Sequence, residues 1–323
     1  MLNVRVLSFP QLRQGTLKWT KCADVPVGMI QAQGVVIDGK VYVGGGGTDD
    51  SLTDFLVFEY DPVDDSWETL PPTPVSCFGT GTLSGELVIV GGKNGPKTSN
   101  SVYVFDRFTN QWKESLPSLC FARYATSVVS HQSSLLACGG LSNDSVGGIS
   151  IVPTVEVLNA DGFQWYVGAC LPYSACLCLS SSIVIHDTLY IVGGYQSTTA
   201  RSVTGAIHCS SVFTVISSGV ITPHMWEAMG DTPHLQATSA CLGGCLLALG
   251  GATKPYTLPV HQSIHAYSSA SKSWIYIGDL PYACCHCTAV SLPSGELLVL
   301  GGWVKPGEQK RSRSVFRATL HCS

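Results

Sequence analysis

The sequence predicts an all-β fold, a ring of six four-stranded antiparallel units. Three observations lead there. An apolar run ending in a Gly pair recurs six times, and a Trp follows five of those pairs. The one Trp stretch without a pair before it, "LKWTKCADVP" (residues 17–26), stands at the start of the chain. Similarity at a fixed period outranks local pattern as a guide to architecture.

In chain order the runs are "VYVGGG" (Gly45-Gly46), "LVIVGG" (Gly91-Gly92), "LLACGG" (Gly139-Gly140), "LYIVGG" (Gly193-Gly194), "LLALGG" (Gly250-Gly251) and "LLVLGG" (Gly301-Gly302). Successive pairs stand 46, 48, 54, 57 and 51 residues apart. In the first unit "AQGVVIDGK" supplies a strand and a turn, and "VYVGGG" a second strand. "FLVFEYDP" is the third strand and the stretch around Trp67 the fourth. We denote these positions A to D; turn chemistry separates A from B and C from D. The following units repeat the plan with "SVYVFDRF" and Trp112, "TVEVLNAD" and Trp165, "SVFTVISS" and Trp226, and "SIHAYSSA" and Trp274.

The sixth unit ends differently. "SRSVFRATLHCS" provides strand C and no Trp follows it. Trp19 precedes Pro26 by seven residues, the spacing also found after Trp165, Trp226 and Trp274. The N-terminal Trp strand is therefore expected to complete the last sheet, pairing near Val315–Leu320 and leaving no open edge between first and last units. Residues 1–12 are expected to be a tail or linker, and 13–323 a single domain. Its blades are expected near 28–70, 76–116, 122–171, 176–231, 236–280, and 285–323 together with 13–25.

The apolar run with Gly-Gly, a strand ending in Tyr60-Asp61-Pro62 and then a Trp, at about fifty-residue spacing, resembles the kelch repeat. The resemblance covers residues 17–320, and six units imply a six-bladed β-propeller. The turn Asp is kept at Asp61 and Asp106 and replaced by Asn159, "SSG" and "SSAS" in the next three units. The Gly pairs are read as places where backbones crowd, and the Trp residues as packing between blades. Many kelch propellers recognise protein partners, some as substrate-recognition halves of ubiquitin-ligase adaptors. No helical BTB or BACK region is legible in these 323 residues. Some kelch-like propellers are enzymes, including a copper radical oxidase and a sugar mutarotase.

Composition agrees with a layered β-protein: 45% of residues are hydrophobic and 12% charged, more apolar than a disordered chain allows. No apolar run approaches the roughly 18 residues of a membrane span. The first twenty residues lack a signal-peptide pattern, so a cytoplasmic location is expected. The fourteen cysteines lie within apolar strand-like runs and are read as reduced thiols rather than a disulfide framework. A net charge of −4 and a pI near 6.1 offer no basic footprint for nucleic acid.

Antiparallel order puts the B–C and D–A connections at one end. The B–C loops carry eight of the eighteen Lys and Arg residues: Lys93, Lys97, Arg201, Lys254, Lys305, Lys310, Arg311 and Arg313. Asp49, Asp50 and Asp54 make the first loop acidic. The axial mouth is expected at Met29, Arg123, Leu177, His234 and Cys285, sixteen residues before each Gly pair, and at Cys77 in the second unit. The partner-binding set expected on this face is Arg123, Tyr124, Tyr195, Arg201, His234, Lys254, Tyr256, Tyr282, Trp303, Lys305, Arg311 and Arg313. It would grip an extended, partly acidic protein segment with a monomeric propeller, without cofactor, nucleic acid or membrane.

Two chemical readings compete. "CCHC" (284–287) suggests zinc, but strand alternation would send Cys284 and His286 to one side and Cys285 and Cys287 to the other, so no metal is expected. His234 and Cys285 belong to neighbouring units and form a candidate thiol–imidazole pair. The mouth offers no carboxylate pair, so the expectation is a non-catalytic interaction module; the alternative is a small-molecule enzyme using the axial pocket.

Overall fold

The computed structural model describes residues 12, 14–48, 53–143, 147–158, 164–171, 181–195, 203–211, 226–254, 257–269, 271–305 and 310–321. Its principal strands are β1 (Thr16–Cys22), then β2 (Gln33–Ile37), β3 (Lys40–Gly44), β4 (Val57–Asp61) and β5 (Ser66–Thr69). The second unit gives β6 (Gly79–Leu83), β7 (Glu86–Val90), β8 (Val102–Asp106) and β9 (Gln111–Lys113). The third gives β10 (Ser127–His131), β11 (Ser134–Cys138), β12 (Thr154–Leu158) and β13 (Trp165–Cys170). The fourth gives β14 (Ser181–Ile185), β15 (Thr188–Tyr195), β16 (Val203–Ser211) and β17 (Glu227–Asp231). The last two give β18 (Thr238–Leu242), β19 (Cys245–Leu249), β20 (Ser263–Ser268) and β21 (Ser273–Asp279), then β22 (Thr288–Ser291), β23 (Leu297–Leu300) and β24 (Val315–His321).

These strands form six four-stranded antiparallel sheets. Five follow chain order, and the sixth runs β22-β23-β24-β1. In it Trp19 lies opposite Ala318, and the register extends from Thr16↔His321 to Cys22↔Val315. The A strands touch in sequence, β2 with β6, β6 with β10, β10 with β14, β14 with β18, β18 with β22, and β22 with β2. The architecture is an all-β propeller. No helix among the described residues is long and apolar enough to cross a membrane.

The cores lie between sheets. Val41, Val43, Phe58 and Tyr60 pack with Cys22, Leu298, Leu300 and Val315 of the next sheet. Leu12, placed by sequence at the end of a tail, is buried with Leu247, Leu249, Leu297, Val299 and Ala318. Full burial of each such side chain contributes about 1.5–3 kcal/mol. The D-strand tryptophans stitch neighbours together as well as packing. Nε1 of Trp67 donates to Ala23 O (2.9 Å), Trp112 to Pro71 O (2.9 Å) and Trp165 to Pro117 O (2.9 Å). Trp226 donates to Cys170 O (3.0 Å) and Trp19 to Asp279 O (2.9 Å). Each acceptor lies at the end of the preceding sheet's outer strand. Trp274 Nε1 is buried with no partner among the described residues.

The Gly pairs crowd against the neighbouring unit. At Gly91 φ is +65°, and a Cβ would stand 2.3 Å from Arg123 O; at Gly250 φ is +60°, with Cys284 O at 2.3 Å. Only glycine fits such an approach. The C–D turns keep their chemistry: Asp61 Oδ1 accepts from Val63 N (2.8 Å) and Asp106 Oδ1 from Phe108 N (2.9 Å). In the fifth sheet Ser268 Oγ replaces the carboxylate, accepting from Ser271 N at 3.3 Å.

Candidate partner-binding face

The D–A connections and the start of the B–C loops pair with each other at one end of the molecule. Met29–Ile30 pairs with Gly47–Thr48, and bridges join Ser76 to Lys93, Tyr124 to Leu141, Leu235 to Ala252 and Cys285 to Trp303. Three B–C loops rise as short ribbons: Lys93–Asn94 with Lys97–Thr98, Leu141–Asn143 with Ile149–Ile151, and Trp303–Lys305 with Lys310–Arg311. The first two ribbons are tied together by Asn143, whose N donates to Thr98 Oγ1 (2.9 Å) and whose Nδ2 donates to Pro96 O (2.9 Å). Loops paired in this way form a surface that holds its shape before a partner arrives, which lowers the ordering cost of binding.

Arg123 is not on that surface, which corrects the expectation for it. Its side chain is 0% exposed and ion-paired with Glu156, itself 0% exposed. Nη1 donates to Gly139 O and Thr154 O (both 2.9 Å), and Nη2 to Thr154 Oγ1 (2.8 Å) and to Glu156. Glu156 also accepts from Cys120 N (2.6 Å) and Phe121 N (3.1 Å). Burial lowers the Arg123 pKa, and the Glu156 charge opposes that. The D–A connection folds this side chain inward onto β12, so the cation serves structure. Glu156 was missed by sequence reasoning, although a carboxylate inside "TVEVL" was its signal.

The other expected residues divide. Tyr124 is largely buried, with Lys93 Nζ 5.1 Å from its ring centre, a cation–π contact that joins the second and third units. Tyr282 donates to Gly301 O (2.7 Å) and packs near Phe316 (5.8 Å), and burial raises its pKa. Both rings brace the loops from beneath. Lys254 and Arg313 are exposed, and Arg313 Nε donates to Val25 O at 2.9 Å. Arg311 lies beside Gly47 in the adjacent loop. Trp303 is partly buried in its ribbon. Tyr195 ends β15 and Lys305 ends the third ribbon's first strand. Arg201 and Tyr256 lie outside the described residues. Asp54 turns into its own loop, accepting from Thr48 N (2.7 Å) and Thr48 Oγ1 (2.8 Å).

Of the expected mouth residues Cys77 lines the channel, and the rest of the mouth is a different set. Gln31, Ala125 and Gln236, two residues beyond Met29, Arg123 and His234, line a cavity of about 560 Å³ together with Cys77 and His286. All five hold left-handed φ between +51° and +58°. That conformation turns each connection so that its amides reach a neighbour: His286 N to Gln236 O (3.2 Å), Gln31 N to His286 O (3.0 Å) and Ala125 N to Cys77 O (2.7 Å). Met29 and Cys285 are buried beneath, and Leu177 lies outside the described residues. A non-glycine residue in this region costs about 1–2 kcal/mol, offset by the amide pairs, and no sequence pattern announces it. The polar part of the lining is mostly hydroxyls and amides, set among Val and Ala side chains. Burial pushes His286 down to about 4, leaving it neutral at pH 7.

Residues 284–287 are not an extended strand, because His286 is left-handed. Alternation therefore fails: Cys284 and Cys287 face one core, with their thiols in hydrogen-bonding contact. That contact and burial raise the Cys284 pKa. Cys287 Sγ also reaches Thr238 Oγ1 at 3.4 Å. His234 does not meet Cys285 as expected; its ring stacks on His261 and its Nε2 lies 3.0 Å from Ser263 Oγ. The rings stack rather than converge, and no group of three or more His, Cys, Asp or Glu among the described residues is arranged to hold a metal. Ten of the cysteines among the described residues are free thiols.

Comparison with known proteins adds an independent line. The Kelch motif matches residues 31–74 and 74–115, two consecutive repeats. Kelch-like protein 40 of Xenopus tropicalis is 27% identical over 222 residues, covering 67% of this chain and 33% of that protein. Beta-scruin of Limulus polyphemus is 28% identical over 197 residues, 57% of this chain and 21% of its own length. Kelch-like protein 15 of Danio rerio is 31% identical over 177 residues, 48% and 28% of the two chains. The chain thus spans a third or less of the curated relatives it matches. The solved structure of YjhT superposes with a TM-score of 0.74 and 14% identity, over 93% of this chain and 99% of that one, a likeness of fold alone. With its repeats seen in sequence, in sheet topology and in these relatives, the chain carries two Kelch motifs and is similar to kelch-repeat proteins.

Proposed function

We propose that residues 13–323 form one six-bladed ring, completed by β1, that acts as a non-catalytic protein-recognition module. Its paired B–C/D–A loop end grips an extended, partly acidic segment of a partner protein. The observation that carries this reading is the set of cations among the described residues of that end; Asp49 and Asp50 lie outside those residues. Lys93, Lys97, Lys254 and Arg313 stand on it outside the ion pairs found among the described residues, while Asp54 is turned inward. A preformed basic surface steers acidic partners and fixes their register. The kelch-like relatives support a recognition role, and the adaptor half of a ubiquitin ligase is the setting we favour, in the cytoplasm and with a monomeric propeller. An enzyme in the axial cavity would need converging acid and base groups. Among its described lining residues the titratable side chains are His286, held neutral, and the thiols of Cys77, Cys241 and Cys287.

The test is affinity capture from lysate with the wild-type chain and with Lys93→Glu/Lys97→Glu/Lys254→Glu, both checked for folding. The proposal expects a set of proteins held by the wild type, released by moderate salt, and absent from the variant. Identical captured sets would contradict it.

A further inference from the structure

Two sheets fill the same three positions with different chemistry. In the third, Arg123 of the D–A connection meets Thr154 and Glu156 of β12. In the fifth, His234 stands sixteen residues before Gly250, as Arg123 does before Gly139, and faces Ser263 of β20, near His265. The backbone fixes the match: Gly139 N donates to Thr154 O (3.1 Å) and Gly250 N to Ser263 O (3.0 Å). Glu156 lies opposite Ala137, and His265 opposite Ala248. Where one sheet has a cation and an anion, the other has imidazoles.

A third imidazole joins them. His261 stacks on His234 with ring centres 3.7 Å apart and planes 5° from parallel, and His265 meets His234 edge-on at 5.9 Å. His261 Nε2 lies 2.8 Å from Thr253 Oγ1 across the base of the B–C loop. The His261 backbone anchors that loop, its N donating to Gly251 O (2.8 Å) and its O accepting from Cys284 N (3.1 Å). We infer that this imidazole cluster is a pH-operated latch: with His234 and His265 neutral it holds Thr253 and His261 together at the base of the B–C loop, and protonation releases them.

The surroundings favour the neutral state. β21 contributes Tyr276, edge-on to His265 at 5.9 Å, and Asp279, whose charge alone favours a proton on His265. Cys284 of the next connection is an uncharged buried thiol, and Lys254 adds positive charge to the loop itself. Burial and then the two neighbouring rings push His234 down to about 4. Burial lowers His265 too, against Asp279. A histidine whose pKa is depressed in the closed form stabilises that form above its ordinary value near 6.5. The stabilisation is lost as pH falls from there toward about 4. From His234 alone, loop opening should rise roughly tenfold to thirtyfold between pH 7 and pH 5. The third sheet has no such group, since arginine stays charged throughout.

The latch stands apart from the partner proposal, because its test contains no partner. Hydrogen exchange of the full chain is measured at pH 7 and pH 5 and corrected for the intrinsic pH dependence of exchange. The His261 and Cys284 amides should lose protection roughly tenfold to thirtyfold, while Val152 and Leu141 in the third sheet's loop keep theirs. His234→Gln should remove most of the difference. An NMR titration of the wild type covers the case of a variant that does not fold: the His234 ring should titrate below about pH 5. Equal loss at His261 and Val152, an unchanged loss in His234→Gln, or a His234 ring titrating near pH 6.5 would each overturn the latch.

Discussion

At Arg123 a full positive charge sits inside the third sheet with Glu156 as its counterion. Removing one partner leaves the other charge buried and alone, so Glu156→Gln should cost about 3–5 kcal/mol in denaturant unfolding. Arg123→Met/Glu156→Leu should cost less than that single change, since no unpaired charge remains. Equal or greater loss in the double variant would show that the amides of Cys120 and Phe121, not the charge, dominate. Thiol chemistry offers a second residue-scale prediction. Cys120 and Cys170 are exposed and should be alkylated in the native protein. Cys138 and Cys285, buried and pushed up to about 12, should react only as fast as the molecule unfolds; prompt labelling of either would refute their burial. The sequence displays Arg123 as a lone cation but hides its partner 33 positions on, because the contact depends on how a connection tucks under a strand. His261 and His265 were hidden for the same reason.

The elements were more legible than the contacts between them. Gly pairs, Trp strands and turn residues are local, and the strands fall where these markers put them. The left-handed residues at the channel mouth are not local: Gln31, Cys77, Ala125, Gln236 and His286 share a conformation but carry four different side-chain types. Counting back from the Gly pairs therefore landed on Cys77 but one or two positions short of the lining at Gln31, Ala125, Gln236 and His286. The indole ladder yields the prediction at this scale. Trp67→Phe removes a hydrogen bond to Ala23 O and strands a carbonyl, for about 1 kcal/mol beyond the lost packing. Trp274→Phe removes a buried N–H unpaired among the described residues and should cost less than Trp67→Phe. Comparison of the two by thermal unfolding checks this, and the reverse order would contradict it.

For the whole molecule, the order of the six sheets makes the two chain ends one element. β1 contributes Leu17, Trp19 and Cys22 to two inter-sheet cores, so a chain lacking residues 1–24 should lose at least about 5 °C in Tm. The proposed recognition face depends on this arrangement, because loops from six sheets keep one geometry only if the sheets cannot splay apart. The opening "LKWTKCADVP" was the most informative stretch of the sequence for that reason: its Trp had no Gly pair before it, and β24 had no Trp after it. Hydrogen exchange across residues 16–22 of the full chain tests the closed ring most directly. We predict slow exchange, with protection lost together with that of residues 297–300 and 315–321 as the molecule unfolds globally. Exchange of 16–22 at free-peptide rates, with 315–321 still protected, would contradict closure by the N-terminal strand.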